Sequence, residues 1–92
     1  MGVKVEVFSS PGCAKCRHAR AMLKAIADEL GRGRIAWREV DILVETDYAV
    51  DLGVMSAPAI AIDGKLVFSS LPSPSRLRAE LARRLESGGG TQ

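Results

Sequence analysis

Two cysteines, Cys13 and Cys16, are the residues of this chain best suited to chemistry, and no third cysteine accompanies them. Two residues separate them, so on a helix their thiols lie one turn apart on one face. At that spacing a thiol pair can close an intramolecular disulfide or hold part of a soft metal site. The pair follows Phe8-Ser9-Ser10-Pro11-Gly12, where an apolar run ends and a proline and a glycine supply a turn. A thiol at the first turn of a helix meets unpaired backbone N–H groups and the positive end of the macrodipole. In such settings its pKa falls from about 8.5 to about 3.5–7.5. Cys13 is therefore the expected nucleophile, with Lys15 as a nearby cation. Cys16, deeper along the helix, is the expected resolving thiol. The plain alternative is a pair of small buried hydrophobes with no chemistry.

The elements that must position this pair are legible in the periodicity. Val3-Lys4-Val5-Glu6-Val7-Phe8 alternates with period two and is rich in valine, which predicts a strand. From Cys13 the period changes: Cys16, Ala19, Met22, Leu23, Ile26, Ala27 and Leu30 mark one face of a helix, ended by Gly31 and Gly33. Ile35 to Asp41 is the next strand, and Leu43 to Leu52 a short helix with Val44, Tyr48, Ala49 and Leu52 inward. That β-α-β unit predicts parallel strands. Ala59-Ile60-Ala61-Ile62 and Leu66-Val67-Phe68 flank Asp63-Gly64-Lys65, a hairpin signature. Ser73 then caps a last helix with Pro74 at its first position, running to about Glu86 with Leu77, Leu81 and Leu85 buried. The expectation is one α/β domain over residues 1–86 and a disordered tail over 87–92, with order β-α-β-α-β-β-α. A four-stranded mixed sheet would be covered on both faces by three helices.

Composition narrows the function. Thirteen basic and eleven acidic residues give a net charge of +2, too balanced to argue for nucleic acid or an anionic membrane. Arg76, Arg78, Arg83 and Arg84 interleave with leucines and read as the solvated face of the last helix. No apolar run approaches the roughly 20 residues of a membrane span. The first residues show no leader pattern, so a cytoplasmic location is expected, where a lone Cys-x-x-Cys is more often catalytic, redox-sensing or metal-binding than structural. His18 reads as a solvated helical histidine, and Trp37 as a partly buried strand aromatic.

This order of elements, with Cys-x-x-Cys at the first strand–helix junction, resembles the thioredoxin fold in its minimal, glutaredoxin-sized form. A second motif strengthens the match. Gly53-Val54-Met55-Ser56-Ala57-Pro58-Ala59 stands just before the third strand, where that superfamily carries a cis-proline facing its cysteines. The run Gly53 to Lys65 looks most like the small redox-active disulfide proteins of bacteria and archaea, and the resemblance extends from Val3 to about Leu85. From its residue type alone, Pro58 would be an ordinary trans proline opening a strand; the resemblance implies a cis bond instead. It also implies that Ala57 offers its N–H and C=O to an extended substrate, as an added strand would.

The function implied is thiol–disulfide exchange between the Cys13–Cys16 pair and a protein or low-molecular-weight disulfide. A monomer without prosthetic group or metal is expected, recharged by an unidentified reductase. Some features depart from better-known relatives. Thioredoxin has a buried aspartate six residues before its first cysteine, where this chain has Val7; Glu6 is one residue off and should point to the opposite sheet face. Glutaredoxins bind glutathione partly through a Gly-Gly and an acidic residue after the last strand, where this chain has Ser69-Ser70-Leu71-Pro72-Ser73. The rival reading is a copper carrier, since two thiolates can hold Cu(I). Such carriers have methionine where Pro11 stands and a β-α-β-β-α-β order, both unlike this chain. Structural zinc needs four ligands, and no second Cys/His pair exists. A redox sensor with little turnover would use the same pair.

Overall fold

The computed structural model describes residues 2–31 and 33–86, so the expected tail at 87–92 lies outside the described residues. Its elements run β1 (Val3–Ser9), α1 (Ala14–Leu30), β2 (Ile35–Asp41), α2 (Thr46–Leu52), β3 (Ala59–Ile62), β4 (Lys65–Phe68) and α3 (Pro74–Glu86). The strands form one mixed sheet in the order β2-β1-β3-β4. β1 pairs parallel with β2, from Val3 opposite Ile35 to Ser9 opposite Asp41. On its other edge it pairs antiparallel with β3, Phe8 opposite Ala59. The expected hairpin joins β3 to β4: Ile62 pairs with Lys65, and Asp63 and Gly64 between them have φ of 51° and 84°. Positive φ at both central residues is what a type I′ turn requires, and Asp-Gly tolerates it.

Alternation along β1 sends its side chains to two different cores. Val3, Val5 and Val7 face α1 and α3, among Ala19, Leu23, Ile26, Ile60, Ile62, Leu77 and Leu81. Phe8 faces the other way, toward Val40, Ala49, Ala59 and Ala61, with Tyr48, Leu52 and Leu66 packed around them. The buried part of the first core is mostly aliphatic because the stripes of α1 and α3 are, with Trp37 and Phe68 packed against it. Ser73 anchors α3 as foreseen: its Oγ accepts the Arg76 N–H at 3.3 Å, and Pro74 takes the first helical position.

Two helix starts differ from expectation for local reasons. The second helix starts at Thr46, not Leu43, because Asp41 holds the preceding residues in a turn. Its Oδ1 accepts the Leu43 N–H at 2.8 Å, and its carbonyl accepts from Val44 and Glu45 at 3.0 and 2.9 Å. Val44 is consequently 78% exposed rather than on the inward face. The first helix starts at Ala14, and Cys13 is its N-cap, with φ −92° and ψ 105°. A cap residue keeps extended geometry while its side chain turns toward the helix end.

Glu6 does point to the face opposite Val7, but that face is covered by α2. The side chain is therefore buried, at 1% exposure. Its carboxylate is fully partnered. Tyr48 donates its hydroxyl to Oε1 at 2.5 Å, and Arg38 donates through Nε and Nη2 to Oε2 at 3.1 and 2.9 Å. Arg38 also reaches Glu45 at the start of α2, at 3.1 Å.

Candidate active site

β1 ends at Ser9, and the chain turns through Ser10, Pro11 and Gly12 before entering α1. Gly12 has φ of 73°, a left-handed conformation that a side chain would resist, and Pro11 and Gly12 are exposed. The turn delivers Cys13 to the end of the helix, half-buried, and Cys16 to its inner stripe, 1% exposed. The Cα atoms stand 5.2 Å apart and the sulfurs are joined as a disulfide. Cys13 Sγ also accepts the Cys16 backbone N–H at 3.0 Å. The sulfur thus occupies the position of an N-cap oxygen. An amide aimed at it favours negative charge when the pair is reduced. Beneath the helix, Val7 is fully buried in the aliphatic core.

The Ala57–Pro58 peptide, just before β3, is cis, with Pro58 buried and Ala57 half-buried. A groove of ≈ 430 Å³ runs beside it, lined by Lys15, Ser56, Ala57, Pro58, Ser69, Ser70 and Leu71. Lys15, which lies between the two cysteines in sequence, lines this groove, whereas neither cysteine does. A second groove, of ≈ 250 Å³, contains Cys13 itself, with Ser9, Ser10, Pro11, Gly12, Arg17, Arg20, Glu39 and Asp41. Of the candidates from sequence, Cys13, Pro11 and Gly12 gather here, while Lys15, Ala57 and Pro58 line the first groove.

The second groove holds residues that sequence reasoning passed over. Ser9 donates its hydroxyl to Glu39 Oε2 at 2.7 Å, and Arg20 pairs with the same oxygen. The Ser9 hydrogen bond, assisted by Arg20 and opposed by partial burial, holds the Glu39 carboxyl below its ordinary value. Arg17 was legible in principle. It follows Cys13 by four residues, and helical side chains lean toward the N-terminus, which brings its head back over the cap. Glu39 was not, since it comes from another strand. His18 is exposed and lines neither groove. Among the described residues no group of three or more His, Cys, Asp and Glu is placed to hold a metal ion.

Comparison with known proteins agrees with this geometry. A family model described as a thioredoxin domain matches residues 3–82. A probable thioredoxin of Methanothermobacter marburgensis is 36% identical over 86 residues, covering 94% of this chain and all of the relative (100%). A thioredoxin of Methanocaldococcus jannaschii is 28% identical over 83 residues, covering 90% of this chain and 96% of its own length. Among solved structures, thioredoxin 1 of Thermosipho africanus superposes with a TM-score of 0.76 at 21% identity, covering 95% of this chain and 99% of that one. A mutant thioredoxin of Halobacterium salinarum superposes with a TM-score of 0.74 at 19% identity, covering 88% and 73%. These superpositions speak to the fold: a minimal thioredoxin fold with its four-stranded mixed sheet and three helices. With the family match, the relatives and a disulfide-forming Cys13–Cys16 pair in hand, the chain belongs to the thioredoxin domain family and is a thiol–disulfide oxidoreductase.

Proposed function

We propose that the chain carries two electrons from a reductase to protein disulfides, with Cys13 as nucleophile and Cys16 as resolving thiol. In the reduced form, Cys13 thiolate attacks one sulfur of the substrate disulfide. That S–S bond breaks, the first substrate thiolate leaves and takes up a proton, and a mixed disulfide to Cys13 remains. Cys16 then loses its proton and attacks Cys13 sulfur, releasing the second substrate thiol. The substrate gains two electrons and two protons, and the pair becomes the disulfide seen here. A reductase returns the electrons in the reverse exchange.

The asymmetry of the pair is the observation that carries this reading. Cys13 caps the helix, half-buried, with an amide donating to its sulfur; Cys16 is shut inside. A nucleophile must be reachable and charge-stabilised, whereas a resolving thiol need reach only its neighbour. The ≈ 430 Å³ groove lined by Ala57 and Pro58 supports a further assignment. There, Ala57 backbone would pair with an extended segment of the substrate. We place this activity in the cytoplasm, in a monomer. Among the described residues no helix is long and apolar enough to cross a membrane.

A redox titration of the purified protein, with alkylation of free thiols and mass analysis, tests the reading. A two-electron transition between about −180 and −280 mV is expected. Cys13→Ser should abolish reduction of a model disulfide, and Cys16→Ser should trap a mixed disulfide through Cys13. Cysteines that stay reduced throughout, or an unimpaired Cys13→Ser variant, would overturn it.

A further inference from the structure

We infer that Arg17 is a specificity-determining residue that holds a carboxylate flanking the substrate's reacting cysteine. The inference rests on the exchange reaction proposed above and names the substrates that the site prefers. Of the charged residues that share the groove with Cys13, Arg20 and Glu39 neutralise one another, and Ser9 donates to the same carboxylate. Arg17 is different. It is exposed, and its guanidinium has no hydrogen bond or ion pair among the described residues. Its backbone N–H donates to the Cys13 carbonyl at 3.4 Å, so it stands one turn above the nucleophile. The N-terminal lean of helical side chains carries its head toward the sulfur, consistent with their common groove. Lys15, the other cation near the pair, lines the groove beside Pro58 instead.

A disulfide attacked at Cys13 therefore presents its flanking residues to an unengaged guanidinium. Arg favours carboxylates because its planar donors match both oxygens. One charge opposes this. Asp41 lines the same groove with no ion-pair partner among the described residues, and only its Oδ1 is engaged, by the Leu43 N–H at 2.8 Å. Arg17 and Asp41 thus pull in opposite directions on an acidic substrate, which makes the assignment separable by mutation.

The test uses two peptide disulfides that differ only in Asp against Asn next to the cysteine. The full-length protein is reduced and freed of reductant, and single-turnover rate constants are measured by acid quench and alkylation. The readout is the Asp/Asn ratio, which cancels any effect of a variant on the Cys13 thiolate itself. An exposed ion pair predicts a preference of about two- to five-fold for the acidic peptide, fading as salt is raised. Arg17→Gln should bring the ratio to unity or below, Arg17→Glu should invert it, and Asp41→Asn should raise it. An equal ratio in the parent and Arg17→Gln, or a parent preference for Asn, would overturn the assignment. Loss of both reactions in the parent would instead strike at the exchange chemistry itself.

Discussion

The two faces of the sheet are built on different principles. Under α1 and α3 the buried interior is apolar and mostly aliphatic, with Trp37 and Phe68 packed at its edge, and charged contacts such as Arg20–Glu39 stay at its rim, where Glu39 is 37% exposed. Under α2 a carboxylate lies inside, at 1% exposure, partnered by Tyr48 and Arg38. Helix length explains the contrast. α1 has 17 residues and a continuous apolar stripe, whereas α2 has seven and buries only Ala49 fully. So short a helix cannot stabilise itself and offers little apolar area for docking. Charge-assisted hydrogen bonds from Tyr48, and from Arg38 to Glu45, do what apolar area does on the other side. Cys16 is buried on the inner stripe of the same α1, at 1% exposure.

If that contrast is right, the largest effect belongs to the aliphatic face. Leu23→Ala opens a cavity between α1 and the sheet and should cost about 2–5 kcal/mol in denaturant unfolding. A smaller effect is expected on the α2 face. Tyr48→Phe keeps the ring against Phe8, whose centroid is 5.8 Å away, but leaves Glu6 Oε1 without its donor. The expected cost is about 1–3 kcal/mol. A loss below about 0.5 kcal/mol, far less than such a charged hydrogen bond contributes, would mean that apolar contacts alone hold α2.

The smallest effect is a pH dependence at the rim. Because its folded-state pKa lies below the ordinary 4.5, Glu39 binds protons less readily in the folded than in the unfolded chain. Its stabilisation is complete above 4.5 and is lost as pH falls through the lower folded value. The stability gap between parent and Glu39→Gln should therefore narrow as pH falls below 4.5. A gap that stays constant across that range would detach the acid limb from the Ser9–Glu39–Arg20 contact.

How far the fold was legible depended on how local its causes are. The stripe of α1, the Asp63-Gly64 hairpin and the Ser73 cap each arise within one helix or one loop, and each appears where the pattern placed it. The start of α2 was misplaced by three residues because an apolar pair, Leu43-Val44, looked helical. The Asp41 side chain claims the Leu43 N–H there, and the competing turn wins.

The same distinction separates the parts of the site. Sequence alone determined the thiol pair and the turn that delivers it to a helix end, since each is contiguous and its chemistry follows from residue type and spacing. The proline motif is contiguous too, but residue type favoured a trans bond, and the cis bond came from the family resemblance and the fold. Burial of Glu6 needs Arg38, 32 residues away, and Tyr48, 42 residues away. The charged groove beside Cys13 likewise needs Glu39 and Asp41 from β2. Only the tertiary structure decided those, because which side chains meet across a sheet depends on register and on which helix covers each face. A strand's own alternation says only that its neighbours point apart.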